Sequence, residues 1–421
     1  MATLAIHGGT PAISEPLRPY AAIGAAERER VLSVIESGVL SGFYGSDGPE
    51  FLGGPLVREL EARWCQRFGC RHAISVNSAT TGLVAALVAC GVSPGDEVIL
   101  PCWTMSGTAM AVLLCGAEPV FCDIEPETYT IDLTRVEASL SPRTRAVMAV
   151  NLFGHPARLH DLRALCDARR VLMVEDNAQA PLASEHGRAA GTIGHIGVFS
   201  LNYHKHVHCG EGGICTTNDD ELAERLQMAR NHGENVVPAR AGRHVDIAGS
   251  NYRMTELSAA VALAQLESIE IHVSRRELLA AALSREIAGL DGISVPTVRA
   301  GCRHVSYVWA LRLDPERLGI TRSGFSEALT AEGWPHFCGY VRPLQHLPIF
   351  HQPSSRGHPP RRFRDTGCPI AEHLHHATWL GFETCAYDLT EGDAPYLADA
   401  IRKVHAHRGE LTVEAHEGAA P

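Results

Sequence analysis

Lysine is almost missing from this 421-residue chain. Between positions 1 and 402 there is one, Lys205, and arginine supplies the other positive side chains through that range. Aromatic residues are sparse, at 6%. No run of about 20 apolar residues occurs, so no membrane-spanning helix is expected. No two cysteines form a C-x-x-C pair; the closest, Cys65/Cys70 and Cys209/Cys215, are spaced too widely for an ordinary zinc site. The thirteen cysteines are therefore expected to be free thiols in a reducing cytoplasm. The net charge of −11 argues against nucleic acid as a partner, because such binding rests on a basic surface. The first residues have neither the basic start nor the apolar core of a secretory signal. Gly38 to Gly54 is glycine-rich, yet neither G-x-x-x-x-G-K-[ST] nor G-x-G-x-x-G occurs.

What remains is globular composition, 45% hydrophobic and 20% charged, in a chain long enough for two large domains or three smaller ones. Residues 1–30, with Gly8, Gly9, Pro11, Pro16 and Pro19, read as an N-terminal arm. Helical spacing appears at about 25–37, stopping at Gly38, and at 56–68. Short apolar runs then alternate with helical stretches at 73–76, 97–100, 119–123, 146–150, 171–175, 197–201 and 213–216. Such alternation predicts a largely parallel sheet covered on both faces. Helices are expected at 219–231, 254–273 and 274–288, with a boundary near 270. This divides a large domain (31–270) from a small C-terminal one (271–408), followed by a disordered tail (409–421). The polar stretch 352–360 reads as a surface loop.

The run at 171–175 leads into Asp176-Asn177-Ala178-Gln179. Open α/β sheets bind ligands beyond the carboxyl ends of their strands, so Asp176 stands where an acid can meet a cofactor. The run at 197–201 leads into Asn202-Tyr203-His204-Lys205, and Gly210-Glu211-Gly212-Gly213 turns the chain back. Lys205 thus shares a rim with Asp176. A chain that avoids lysine yet keeps one at a strand mouth points to an amine that must lose its proton, which arginine cannot do. The pair suits pyridoxal phosphate: the lysine binds the aldehyde, and the acid keeps the pyridine nitrogen protonated so that the ring draws electrons. Taken alone, the pair fits a surface ion pair equally well. Asn77-Ser78-Ala79-Thr80-Thr81-Gly82 opens an apolar helix whose free N–H groups suit a phosphate, or Ser78 simply caps it. Trp103 follows another strand, where its ring can stack on a pyridine or belong to the core.

Together these segments resemble the DegT/DnrJ family of pyridoxal-phosphate aminotransferases, from Leu40-Ser41-Gly42 to near Val404. Ala79-Thr80 is similar to the family's phosphate loop, with alanine where glycine is usual, and Trp103-Thr104 to its ring-stacking element. Glu175-Asp176-Asn177-Ala178-Gln179 is similar to the segment that supplies the pyridine-nitrogen acid, here Asp176, and a contact near the ring hydroxyl, here Gln179. Phe199-Ser200 with Lys205 resembles the lysine motif, implying phosphate binding by Ser200 and covalent attachment at Lys205. Asn251-Tyr252-Arg253-Met254 is similar to a motif whose asparagine reaches the phosphate of a neighbouring subunit, implying a homodimer with shared active sites. The resemblance implies an aspartate-aminotransferase-like (fold type I) α/β large domain with a mainly parallel seven-stranded sheet and a smaller α+β C-terminal domain.

The activity it implies is transfer of an amino group from glutamate or glutamine to a keto-sugar in amino-sugar biosynthesis. A nucleotide-linked 3- or 4-keto hexose is the first expectation, and a keto-cyclitol of the scyllo-inosose type the second. The chain departs from the family on the substrate side. Leu201-Asn202-Tyr203-His204 stands where Phe-His-Pro is common, and Tyr340 precedes Pro343-Leu344 without the usual histidine. Phe43, His204, Tyr340 and Arg342 are the candidate substrate residues. A sugar dehydratase of the same fold would carry histidine in place of Lys205, and a purely regulatory protein would have no need of Asp176, Gln179, Ser200 and Lys205 together. His204, His206 and His208 alternate, but no metal is expected there. His373, His375 and His376 read as surface residues of a helix.

Overall fold

A computed structural model describes residues 3–236, 239, 242–353 and 360–411. Most of the expected 352–360 loop and all but the first three residues of the expected tail lie outside the described residues.

The large sheet contains β1 (His72–Val76), β2 (Glu97–Pro101), β3 (Glu118–Cys122), β4 (Thr144–Val150) and β5 (Leu172–Asp176). Two short strands, β6 (Ser184–Glu185) and β7 (Arg188–Ala189), lie outside it, before its members β8 (Ile196–Ser200) and β9 (Gly213–Thr217). Its order is β1-β9-β8-β5-β4-β2-β3, and an eighth strand, Arg364–Asp365, joins the β3 edge in parallel. The expected seven strands are all present; the eighth is two polar-ended residues whose pairing is set by the fold rather than by any apolar pattern. β9 runs antiparallel to both neighbours, and the other pairs are parallel. The carboxyl ends of β1, β2, β4, β5 and β8 therefore share one edge.

Among the described residues the helices of this part are α1 (Ala25–Ser37), α2 (Pro55–Phe68), α3 (Ala79–Ala89), α4 (Ser106–Leu114), α5 (Leu133–Ser139), α6 (Leu159–Arg169), α7 (Asp220–Arg230) and α8 (Glu256–Glu286). α3 is apolar nearly all round and lies against the sheet. Gly82 makes this possible, since a Cβ there would stand 2.9 Å from Val198 Cγ1. At the mouth, a Cβ on Gly213 would stand 2.8 Å from the Ala79 nitrogen, so β9 passes directly under the α3 N-terminus.

The two helices expected at 254–273 and 274–288 are one continuous α8 of 31 residues, with no glycine or proline to interrupt it. Its first part (Ala259, Leu263, Leu266, Val273) packs under the large sheet with Trp64, Met173 and Phe199. Its last part (Leu279, Leu283) packs with Trp309, Phe325, Trp334 and Phe382 of a second core. This second core covers a four-stranded antiparallel sheet that includes Val308–Leu313 and Trp379–Glu383. The N-terminal segment belongs to it as well: Leu4 and Ile13 are buried there, and the N–H groups of Ala5 and Ala12 each donate to the Glu332 carboxylate at 2.8 Å.

Candidate active site

A cavity of about 320 Å³ opens where the strand ends meet the α3 N-terminus. Its wall includes Ser78, Ala79 and Thr80 from the start of α3, Thr104 and Met105 after β2, and Asp176, Ala178 and Gln179 after β5. Thr108, Ser200, Asn202, His204, Lys205 and Glu211 also line it. Six of the eight residues expected to hold a cofactor therefore line one space: Ala79, Thr80, Asp176, Gln179, Ser200 and Lys205.

Ser78 caps α3 by accepting from Thr81 N at 3.2 Å. The first backbone N–H groups of a helix have no intrahelical acceptor, so those of Ala79 and Thr80 are available at the cavity. With the hydroxyls of Thr80 and Ser200 they form an anion-binding set.

Asp176 is 5% exposed. Its Oδ2 accepts from the Thr108 hydroxyl at 3.0 Å and its Oδ1 from Ala178 N at 3.1 Å. Burial pushes its carboxyl pKa up, against the pull of these two bonds and of the Lys205 charge. Gln179 is pinned at both ends: Oε1 accepts from Phe153 N at 2.7 Å, and Nε2 donates to the Tyr340 hydroxyl at 2.8 Å.

Lys205 is 9% exposed, and burial lowers its ammonium pKa from 10.5 to about 8, with Asp176, Cys385 and Glu383 pulling it back up. Its Nζ lies 3.4 Å from the Tyr307 hydroxyl and 4.6 Å over that ring's centroid. Beside it, His204 is pushed down to about 4 by burial and by the Lys205 charge, so it is neutral at physiological pH. His206 is fully buried, with Arg276 Nη1 3.1 Å from its Nδ1.

The donor set matches a phosphorylated pyridine aldehyde: unpaired helix-start N–H groups and two hydroxyls at one end, a buried carboxylate in the middle, and a desolvated amine. A buried amine held only by a phenol, with the carboxamide oxygen of Asn202, a residue of the same wall, buried and without a partner, is a site built for a further group.

Trp103 is not on the wall. Its indole is fully buried, its Nε1 donates to Val341 O at 2.8 Å, and its ring packs edge-on against Tyr129, Phe153, Tyr340 and Trp379. The backbone at Cys102 is still held between Cys122 and Leu344, at 2.8 and 2.7 Å, and this turns the next side chain inward. The wall falls instead to Thr104 and to Met105, which is 49% exposed. Asn251 also lies outside this cavity: it is exposed, and its Oδ1 accepts from Arg253 Nε at 2.9 Å. Of the four candidate substrate residues, His204 alone lines the space. Tyr340 reaches it through Gln179, Arg342 is exposed, and Phe43 lies under the Arg230 guanidinium, 4.7 Å from ring to charge. Sequence reasoning missed Met105, Thr108 and Tyr307. Met105 follows a recognised segment by one residue, but Tyr307 meets Lys205 across 102 residues of chain, and no local pattern marks it.

The DegT/DnrJ/EryC1/StrS aminotransferase family model matches residues 46–380. The chain is 36% identical to GDP-perosamine synthase of Caulobacter vibrioides over 299 residues, covering 71% of this chain and 77% of that protein. It is 33% identical to L-glutamine:2-deoxy-scyllo-inosose aminotransferase of Streptoalloteichus tenebrarius, covering 97% of this chain and 99% of that protein. Among solved structures, DesI in the presence of its TDP-sugar product superposes with a TM-score of 0.81 at 31% identity, covering 97% of each chain.

Proposed function

Because the chain belongs to the DegT/DnrJ/EryC1/StrS aminotransferase family, we propose that it transfers an amino group from glutamate or glutamine to the ketone of a nucleotide-linked 3- or 4-keto hexose. The cofactor is pyridoxal 5′-phosphate, attached at Lys205. One observation carries this reading: Asp176, Gln179, Ser200 and Lys205 line one cavity beneath the N-terminus of α3.

The cofactor, when bound, supplies an electron sink for the carbon whose nitrogen is exchanged. The rest is the work of the chain. The N–H groups of Ala79 and Thr80, with the hydroxyls of Thr80 and Ser200, bind the phosphate. Asp176 holds a proton at the pyridine nitrogen, and the hydroxyl of Thr108 and N–H of Ala178 fix the carboxylate that does so. Gln179, held by Phe153 N and the Tyr340 hydroxyl, would contact the ring near its hydroxyl. The amine of Lys205, once free, would take up, hold and release the proton that the exchange requires. An amine does this only when deprotonated, and burial has brought its pKa close to physiological pH.

We assign Asn251 to the phosphate site of a partner copy, in a homodimer with shared active sites. Its exposure outside its own cavity supports this, as does the exposed Met105 side chain on the cavity wall, at 49%. Thirteen free cysteines support a reducing cytoplasm.

A second reading, a keto-cyclitol acceptor, is favoured by the composition of the wall. Among the described residues no arginine or histidine other than neutral His204 lines the cavity, whereas a diphosphate is ordinarily gripped by cationic donors. The likeness to the scyllo-inosose enzyme also spans nearly both chains. Product masses from a panel of nucleotide-linked keto hexoses and free keto-cyclitols, each with both donors, separate the two. Amination of the nucleotide-linked sugars supports the first reading, and amination of cyclitols alone the second. No amination with either donor contradicts both.

A further inference from the structure

Tyr307 stands at the entrance to the strand Val308–Leu313, is buried in the same core as Trp103, Phe153 and Trp379, and is 4% exposed. The residue before it, Ser306, has φ +51°, a left-handed conformation that a non-glycine residue adopts at a cost. Buried Thr384 holds this turn, its hydroxyl 2.6 Å from Ser306 O and 3.2 Å from Tyr307 O. Tyr307 N donates to Phe153 O at 2.9 Å. A strained, fully tied turn thus delivers the phenol to the buried amine. Nζ stands within hydrogen-bonding reach of the hydroxyl and over the ring face, well inside the range of a cation–π contact.

The other groups around this pair come from several elements. Asp176, Glu383 and Cys385 act on the amine. The rings of His206 and His204 lie 5.8 and 6.5 Å from Tyr307, and both imidazoles are kept neutral by burial. The Arg276 guanidinium bears on Tyr307 and Cys385. Among the described residues no carboxylate forms an ion pair with Lys205, and the phenol is its one side-chain hydrogen-bond partner.

We propose that Tyr307 is the positioning residue of the Lys205 amine: its ring face takes the ammonium, and its hydroxyl oxygen accepts one of the ammonium protons. This holds the amine against the cavity wall whenever it is free. The proposal rests on the reading of Lys205 as the cofactor lysine, and the turn that Thr384 holds, by way of Tyr307, then governs the protonation of that lysine.

The chain has two lysines, Lys205 and Lys403, which makes the test direct. Cofactor-free full-length protein carrying 13C at lysine Cε gives two resonances, assigned with Lys205→Ala, and each is titrated with pH. Lys403 donates to Glu332 and to Thr10 O, both at 2.8 Å, and its signal reports native structure in the same spectrum. Tyr307→Phe, which keeps the ring and loses the acceptor, is expected to lower the Lys205 midpoint by about half a unit. Tyr307→Leu, which loses both, is expected to lower it by about one unit. A midpoint unmoved or raised in Tyr307→Phe, with the Lys403 signal native, overturns the proposal. Borohydride fixation tests the cofactor reading separately. If fixation fails while the midpoint falls, the cofactor reading is lost and Tyr307 keeps its role; the converse removes Tyr307 alone.

Discussion

Thr108 donates its hydroxyl proton to Asp176 Oδ2 at 3.0 Å, and with the N–H of Ala178 on Oδ1 it aligns a carboxylate that burial alone would drive toward protonation. Asp176→Asn keeps the shape but removes the charge and one of the two acceptor oxygens. The half-reaction with the amino donor is then expected to slow by about 100-fold or more, the scale at which one oriented electrostatic group acts. Rapid mixing with the donor, followed by cofactor absorbance, measures this. A near-normal rate would show that the charge of Asp176 is not what the reaction uses.

Burial of Lys205 has a cost that depends on pH. Its pKa falls from 10.5 to about 8, which corresponds to about 3 kcal/mol in the cofactor-free protein. Below pH 8 folded and unfolded chains both hold the proton, and the cost is full. Between the two values the unfolded chain binds more protons, so stability rises with pH, and above the upper value the cost is gone. Lys205→Met in cofactor-free form is therefore expected to be more stable than the parent at pH 7 by roughly that amount, with the gap closing as pH approaches 10.5. Urea midpoints across this range check it. A gap that is absent at pH 7, or that widens with pH, contradicts the assigned environment.

Assembly is tested by mixing two inactive variants. If Asn251 completes the phosphate site of a partner, Lys205→Ala and Asn251→Ala subunits in one dimer place both lesions in one site and leave the other intact. About half of the parental activity per hybrid dimer is expected, because one of its two sites is whole. Hybrids confirmed by mass and found inactive, where Asn251→Ala alone is inactive, would assign Asn251 to its own chain.

The sequence made the strands of the large sheet legible to within a residue or two, because their Val, Ile, Leu and Phe runs are bounded by turn residues and fully buried. It also placed Asp176, Ser200 and Lys205 on one rim, since parallel strands share their carboxyl edge. The failures have physical causes. Trp103 follows a strand and reads equally as a ring-stacking or a core residue; the structure buries it, because side-chain direction past a strand end depends on how the backbone is tied, here by Cys122 and Leu344. α8 read as two helices because its buried face changes partners along its length, while the backbone continues unbroken. Arg364–Asp365 carries no strand pattern at all, and its place at the sheet edge is a tertiary outcome. Tyr307 depends on a left-handed serine and a threonine far along the chain, a combination that no local rule anticipates.

The central claim, that Lys205 carries the cofactor, meets its most direct test in a single labelling experiment. Purified protein loaded with pyridoxal phosphate is expected to absorb in the visible, to lose that band on borohydride treatment, and to yield one phosphopyridoxylated peptide. With two lysines in the chain the result is nearly binary. The label on Lys205 is the outcome this account requires. The label on Lys403, or no label with the visible band unchanged, contradicts it.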